Sequence, residues 1–233
     1  MTARLVVLLS GRGTNFQALQ QAIEAGTLKA GISAVVADRQ AAGLGLAGEH
    51  GIDTVRVERT HHADRASFEA SLTAAISGYG PDWIVLAGFM RVLSAGFVTR
   101  FLGRMINIHP SLLPKYRGLD THARALAAGD SEHGASVHFV TPELDGGPVI
   151  SQARLPVLSD DTPDILASRL LPLEHRLLTA TMALMTTRPV ELRHEQILLN
   201  NQPLAEPLLL GHDLDNDGTF GSQPRRNCSD QPR

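Results

Sequence analysis

The sequence predicts an α/β protein with an open, doubly wound, mostly parallel sheet. Short aliphatic runs recur along the chain, and stretches with helical spacing of apolar residues separate them. Glycine, asparagine or proline residues mark the turns between the two kinds of segment. Continuous aliphatic runs are typical of strands that are buried on both faces, and strands that alternate with helices form a parallel sheet.

The first strand and helix define the repeating unit. The aliphatic run Leu5–Leu9 predicts a buried strand, and it ends in a glycine turn. Thr14 and Asn15 can cap the next helix, in which Phe16 and Leu19 begin an apolar stripe. The elements expected after it are a strand at 35–36, an alanine-rich helix ending near 51, a strand at 54–57, a helix at 64–76, a strand at 83–87, a short helix at 94–100 and a strand at 105–108.

The pattern changes after Pro110. Residues 111–118 contain leucine, proline and glycine without a sustained period, which indicates a loop. A helix around 121–128 precedes an alternating strand at 136–140, and residues 149–157 form another strand. These two strands could pair antiparallel at one side of the sheet.

The C-terminal third is expected to hold one long helix and a hairpin. The helix should run from about 162 to 185, with a kink or interruption at Pro172. Residues 190–199 could form the hairpin, and the composition then becomes rich in Pro, Asn, Asp and Gly. We therefore expect one domain over residues 1–202 and a disordered tail over 203–233.

Composition narrows the classes of function. Lys and Arg number 21 against 24 Asp and Glu, so the net charge of −3 provides no basic field for nucleic acid. No apolar run approaches the roughly 20 residues that span a bilayer, and the first run is too short for a signal-peptide core. We expect a cytoplasmic protein with small-molecule partners. Cys228 is the single cysteine and the histidines lack ligand spacing, so no metal is expected.

The first chemical signal is the glycine loop Ser10–Asn15 between a buried strand and a helix. Backbone N–H groups and the helix dipole attract a phosphate at such a position. A dinucleotide site is an alternative, but Phe16 occupies the position of its third glycine, where close packing is required. Asp38, near the end of the second strand, keeps the nicotinamide alternative open, and a purely structural turn is a third possibility.

Two further signals follow later strands. Asn107 and His109 are two residues apart on a strand, so their side chains point to the same side, at the edge where open α/β sheets bind ligands. An amide beside an imidazole suits stabilisation of an oxyanion and proton transfer. Asp145, in the turn-rich segment 143–148, could orient His109. A capping Asn, a core His and a solvated turn carboxylate are the structural alternatives.

Four motifs in register resemble the phosphoribosylglycinamide formyltransferase family of folate-dependent enzymes. The resemblance covers about residues 4 to 200, and its motifs are Ser10–Asn15, Leu86–Leu93, Asn107–Pro114 and His133–Val140 leading into Asp145–Pro148. It implies a Rossmann-like formyltransferase fold. It also implies transfer of the formyl group of 10-formyltetrahydrofolate, the co-substrate, to the amine of 5-phosphoribosylglycinamide.

The resemblance also implies three groups of site residues. The catalytic residues are Asn107, His109 and Asp145. The ribonucleotide contacts are Gly13, Thr14, Asn15 and Glu174. The folate contacts, mostly through backbone groups around the pterin, are Arg65, Met90, Arg91, Val92, Leu93, Asn107, Thr141, Pro142, Glu143, Leu144 and Asp145. Leu171 and Asp120 depart from the family pattern, because many relatives carry a polar residue and a histidine there.

The predicted chemistry is direct attack of the amine on the formyl carbon, without an acyl-enzyme. The nearest alternatives are formyltetrahydrofolate deformylase and methionyl-tRNA formyltransferase. Both are expected to carry an additional domain for which this sequence shows no pattern, and a tRNA ligand would favour a basic surface. An NAD-binding or other nucleotide-binding module is an alternative from a different class. The protein is expected to be a monomer or a homodimer.

Overall fold

The computed structural model describes residues 2–221, which form strands and helices in alternation. The strands are β1 (Ala3–Leu9), β2 (Ala30–Ala37), β3 (Asp53–Arg56), β4 (Trp83–Leu86), β5 (Met105–His109), β6 (Glu132–Phe139), β7 (Val149–Pro156), β8 (Val190–Arg193), β9 (Gln196–Leu199), β10 (Gln202–Pro203) and β11 (Leu208–Leu209). The helices are α1 (Thr14–Glu24), α2 (Ala42–Glu49), α3 (Arg65–Gly78), α4 (Ala95–Arg100), α5 (Thr121–Ala127) and α6 (Pro163–Thr187), with a 3₁₀ turn at Arg59–His61.

The main sheet has eight strands in the order β11-β7-β6-β5-β4-β1-β2-β3. Strands β1 to β5 pair in parallel with one another, whereas β6 pairs antiparallel with both β5 and β7. The strand order reverses between β1 and β4, and the crevice at such a point is where open α/β sheets bind ligands. The predicted fold class and the predicted antiparallel pair are confirmed.

Strand β1 shows why the aliphatic runs form the centre of the sheet. Leu5, Val7 and Leu9 pack on the face that α1 and α6 cover, whereas Val6 and Leu8 pack on the face that α3 and α4 cover. All five side chains are fully buried. A strand between two helical layers needs apolar residues at every position, which produces a continuous run rather than an alternating one.

The predicted side-chain cap of α1 was wrong, and so was the possible interruption of α6. Gly13, in a left-handed conformation, is the N-cap residue of α1, and neither Thr14 nor Asn15 caps it with its side chain. Helix α6 runs without interruption through Pro172, and a kink there stays a prediction. A proline removes one backbone donor and crowds the carbonyl four residues earlier. Burial of Leu170 and Leu177 on either side of it holds the helix together.

The structure also differs from the predicted tail over residues 203–221. Strand β11 pairs in parallel with β7 and extends the main sheet by one strand. Leu208 and Leu214 are buried in the core that α6 covers. The rest of the predicted tail, residues 222–233 with Cys228, lies outside the described residues. No helix among residues 2–221 is long and apolar enough to cross a membrane.

Replacement of Leu214 by alanine tests this segment. Leu214 has no exposed surface, so the change removes buried methyl groups and leaves a cavity. We expect the free energy of unfolding to fall by about 2 to 4 kcal/mol, measured by urea denaturation. Leu158→Ala is the control, because Leu158 is 46% exposed and its truncation should change stability by less than about 0.5 kcal/mol. Equal stabilities of the two variants would contradict the packing of Leu214 in the core.

Candidate active site

Two groups of polar residues meet at the carboxyl edge of the parallel strands. The loop after β1, the segment after β4 and the end of β5 lie together there, because these three strands are neighbours in the sheet. The loop after β1 opens a cavity of about 470 Å³. Its walls are formed by Ser10, Gly11, Arg12, Gly13, Thr14, Asn15, Ala87, Gly88, Met90, Pro110, His122, Ala167, Ser168, Leu171 and Glu174. The predicted ribonucleotide contacts therefore share one cavity.

Gly13 gives the loop its shape. Its φ of +80° lies in the left-handed region, and a Cβ there would lie 2.7 Å from the Cα of Gly43 in α2. The N–H of Gly43 donates to the carbonyl of Gly11 at 3.1 Å, which fixes the loop against α2. Because no side chain caps α1, its first N–H groups face the cavity side without a capping partner. This geometry suits an anionic group such as a phosphate.

Glu174 lies on α6 at the same cavity. Burial raises the pKa of its carboxyl from an ordinary 4.5 to about 7, although a hydrogen bond with Asn15 opposes the shift. The carbonyl oxygen of Asn15 is buried and has no hydrogen-bond partner among the described residues. Glu174 and Asn15 thus offer a polar wall with unused hydrogen-bonding capacity opposite the glycine loop.

The raised pKa of Glu174 predicts a pH dependence of stability. The folded protein binds this proton more tightly than the unfolded chain, so the contribution is full below pH 4.5 and is lost as the pH rises through about 7. The change should amount to on the order of 3 kcal/mol, at about 1.4 kcal/mol per pH unit. Glu174→Gln should remove it. Urea denaturation of both proteins at several pH values measures the difference, and a pH-independent difference would contradict the prediction.

The predicted catalytic residues Asn107, His109 and Asp145 lie close together. The Nδ1 atom of His109 is 3.5 Å from Oδ2 of Asp145, and both side chains are largely buried. The amide nitrogen of Asn107 is 3.1 Å from Nε2 of His138, which lies 3.8 Å from Oδ1 of Asp145. The three residues do not line the cavity of the glycine loop, but Pro110, which follows His109, does.

The contacts of His109 determine which ring nitrogen donates to a neighbour. The carbonyl of Tyr116 is 2.9 Å from Nε2, so this nitrogen carries a hydrogen. The other nitrogen faces the carboxylate of Asp145, and this contact is attractive when it also carries a hydrogen. Both ring nitrogens therefore face oxygen acceptors.

His138 is a residue of this site that the sequence interpretation did not single out. Its Nδ1 atom donates to the carbonyl of Phe139 at 2.9 Å, which leaves Nε2 to accept a hydrogen from the amide of Asn107. Burial lowers the pKa of His138, so the ring is neutral. The neutral ring orients the Asn107 amide, which lies opposite it in the register of β5 against β6.

The conformation of Asp145 is held by its neighbours. The N–H of Gly118 donates to its carboxylate at 2.8 Å, and Asp145 itself has a positive φ of 47°. A non-glycine residue in this region is uncommon and persists when the surroundings hold it. Of the predicted folate loop around it, Pro142, Glu143 and Leu144 are exposed and Thr141 is partly buried, and the Glu143 carboxylate pairs with Arg117.

The predicted folate segment 90–93 presents apolar side chains to solvent from a fixed backbone. Met90 and Val92 are 60% and 64% exposed, whereas Leu93 is buried. Arg65 donates to the carbonyl of Val92 at 2.8 Å. Glu69, which the sequence interpretation missed, accepts hydrogen bonds from Arg65 at 2.9 Å and from the backbone N–H of Ser94 at 2.8 Å.

Asp38 and His122 are two further polar side chains at the carboxyl edge of the strands. Asp38, which kept the nicotinamide alternative open, is fully buried against Arg39 and Arg91, so its carboxylate is not available to a ribose. His122 lines the cavity, and its Nδ1 atom lies 3.0 Å from Nε2 of His133. Burial lowers the pKa of both rings, that of His133 to about 4. Among residues 2–221, no three His, Cys, Asp or Glu side chains are grouped so that they could hold a metal ion.

Comparisons with known proteins find relatives whose names refer to the formyl group. The formyl transferase family model matches residues 3–182. Phosphoribosylglycinamide formyltransferase of Escherichia coli is 48% identical over 172 residues, which are 73% of this chain and 81% of that protein. The structure of phosphoribosylglycinamide formyltransferase from Coxiella burnetii aligns with a TM-score of 0.86 at 45% identity, over 90% of this chain and 99% of that chain. A formyltetrahydrofolate deformylase structure from Pseudomonas putida aligns with a TM-score of 0.77 at 26% identity, over 85% and 70% of the two chains.

Proposed function

Because the chain belongs to the formyl transferase family, we propose that it transfers the formyl group of 10-formyltetrahydrofolate to the amine of 5-phosphoribosylglycinamide, a step of purine biosynthesis. The observation that carries the proposal is the junction at Pro110. This residue lines the cavity of the glycine loop and directly follows His109 of the predicted catalytic cluster. A phosphate held by the loop would therefore place the rest of the ribonucleotide beside the cluster.

The amine attacks the formyl carbon directly in this proposal. Negative charge develops on the formyl oxygen and positive charge on the attacking nitrogen. One hydrogen of the Asn107 amide is held by His138, and the described residues provide no acceptor for the other, which can bind the oxyanion. The Nε2–H group of His109 donates to the Tyr116 carbonyl in this structure. It can donate to the negatively charged formyl oxygen instead.

Asp145 balances the charges of the transfer. Its carboxylate faces the His109 ring, so it stabilises the imidazolium that the oxyanion requires. One proton leaves the attacking amine and one proton reaches the departing folate nitrogen, which conserves protons over the reaction. A water between the amine and Asp145 would let the carboxylate take part in this relay. A cytoplasmic location and a monomeric or homodimeric state stay predictions.

The test is to mix the purified protein with glycinamide ribonucleotide and 10-formyltetrahydrofolate and to follow the release of tetrahydrofolate. We expect release that depends on the ribonucleotide. Release at the same rate without the ribonucleotide would favour hydrolysis of the formyl group, which is the reaction of a deformylase. Saturable NAD binding without folate binding would overturn the proposal in favour of a nucleotide-binding module.

A further inference from the structure

Asp38 is a buried carboxylate that is held by three hydrogen-bond donors. It directly follows β2, and its side chain has no exposed surface. The Arg39 guanidinium donates to it at 2.9 Å, and Nε of Arg91 donates at 2.5 Å. Burial alone would raise the pKa of Asp38, but the hydrogen bonds from Arg39, Ser10 and Arg91 keep it below its ordinary value. The carboxylate is therefore charged at neutral pH.

Asp38 reaches the segment after β4 by two routes. The first is the direct bond from Arg91. The second runs through Ser10, whose hydroxyl donates to Asp38 and accepts the backbone N–H of Met90 at 2.8 Å. The backbone N–H of Ser10 also donates to the carbonyl of Gly88 at 3.0 Å. Two consecutive residues, Met90 and Arg91, are thus tied to one buried charge.

The attachment to Asp38 fixes the N-terminal end of the predicted folate segment 90–93. The side chains of Met90 and Val92 remain more than half exposed, and that of Arg91 is 37% exposed. Glu69 holds the C-terminal end of the segment independently, through Ser94 and Arg65. A segment whose backbone is fixed before a ligand arrives loses less conformational entropy on binding than a free one.

The glycine loop depends less on Asp38 than the folate segment does. Gly11 and Gly13 rest on Gly43 of α2, and Asn15 lies on α1. Within the loop, Ser10 is the residue that hydrogen-bonds to Asp38. Loss of the carboxylate should therefore disturb the two ligand sites unequally.

We infer that Asp38 is a positioning residue for the formyl donor: it holds residues 88–91 in the conformation that binds the folate. This inference rests on the proposed function. It gives the carboxylate a role different from the ribose contact of a nicotinamide site. A positioning role should weaken folate binding while the chemical step continues once both substrates are bound.

The test is steady-state kinetics of Asp38→Ala and Asp38→Asn in the ribonucleotide-dependent assay. For the alanine variant we expect the folate KM to rise about tenfold, with kcat and the ribonucleotide KM changed less than threefold. The asparagine variant keeps one oxygen acceptor but not the charge, so its folate KM should lie between those of the wild type and the alanine variant.

Asp82→Ala is the control for removal of an aspartate that pairs with an arginine. Asp82 faces Arg4, but its side chain is 50% exposed and it lies at the amino ends of the strands. Its folate KM should equal that of the wild type. An unchanged folate KM in Asp38→Ala, or an equal rise in both KM values, would overturn the inference. If the alanine variant does not fold, an unchanged folate KM in Asp38→Asn would do so. An inactive wild type would instead contradict the proposed function.

Discussion

Replacement of His109 by alanine is expected to lower kcat at least a hundredfold, with both KM values changed less than about threefold. In the proposed mechanism the imidazole contacts the formyl oxygen only as charge develops there, so its loss should raise the barrier without weakening the ground-state complex. A preorganised donor of this kind is typically worth about 3 kcal/mol of barrier. Steady-state kinetics with each substrate varied in turn measures both parameters.

Asp145→Asn should show the same division between kcat and KM, because in the proposed mechanism its carboxylate stabilises the imidazolium of His109. His62→Ala is the control for loss of a partly buried, hydrogen-bonded histidine. His62 contacts Glu58 and Ser71, neither of which is a predicted site residue, and its loss should leave kcat within twofold. Unchanged turnover in both His109→Ala and Asp145→Asn would remove the catalytic role of the pair.

Gly147→Ala is expected to have the largest effect on stability. A Cβ at Gly147 would lie 1.9 Å from the carbonyl oxygen of Phe139, which is backbone and cannot rotate away. The hydrogen bond from Phe139 N–H to the Pro148 carbonyl closes this loop at 3.0 Å. Opening it should lower the free energy of unfolding by about 3 kcal/mol or more, and should displace Asp145.

Gly48→Ala separates this steric effect from a general effect of adding a methyl group. Gly48 lies in helix α2, and a Cβ there meets no atom within 4 Å. Alanine favours a helix over glycine, so this variant should be as stable as the wild type or more stable by up to about 1 kcal/mol. Urea denaturation compares the three proteins. A Gly147→Ala variant as stable as Gly48→Ala would contradict the close approach of Gly147 to the Phe139 carbonyl.

The sequence predicts the sheet well because its central strands carry an unambiguous signal. Leu5–Leu9 is apolar at every position since both faces of β1 are covered by helices. The segment 203–221 has no such period. Leu208 begins a run of three leucines and Leu214 lies between two aspartates six positions later, so only the tertiary structure shows that the core includes both.

Some residues of the candidate site were predictable from the sequence, and others were not. Asn107 and His109 were predictable as neighbours because a strand places alternate side chains on one side. The partners of Asp38 were not, since Arg91 is 53 positions away and Ser10 lies on another strand end. His138 lacked a signal of its own because its role depends on the register of β6 against β5.

The central claim is that both substrates occupy the cleft together and that the formyl group passes directly between them. Initial velocities measured over a grid of both substrate concentrations test it. Double-reciprocal lines that intersect are expected, because direct transfer requires a complex of the enzyme with both substrates. Parallel lines would indicate a formylated enzyme and a ping-pong sequence, and would contradict the roles assigned to Asn107, His109 and Asp145.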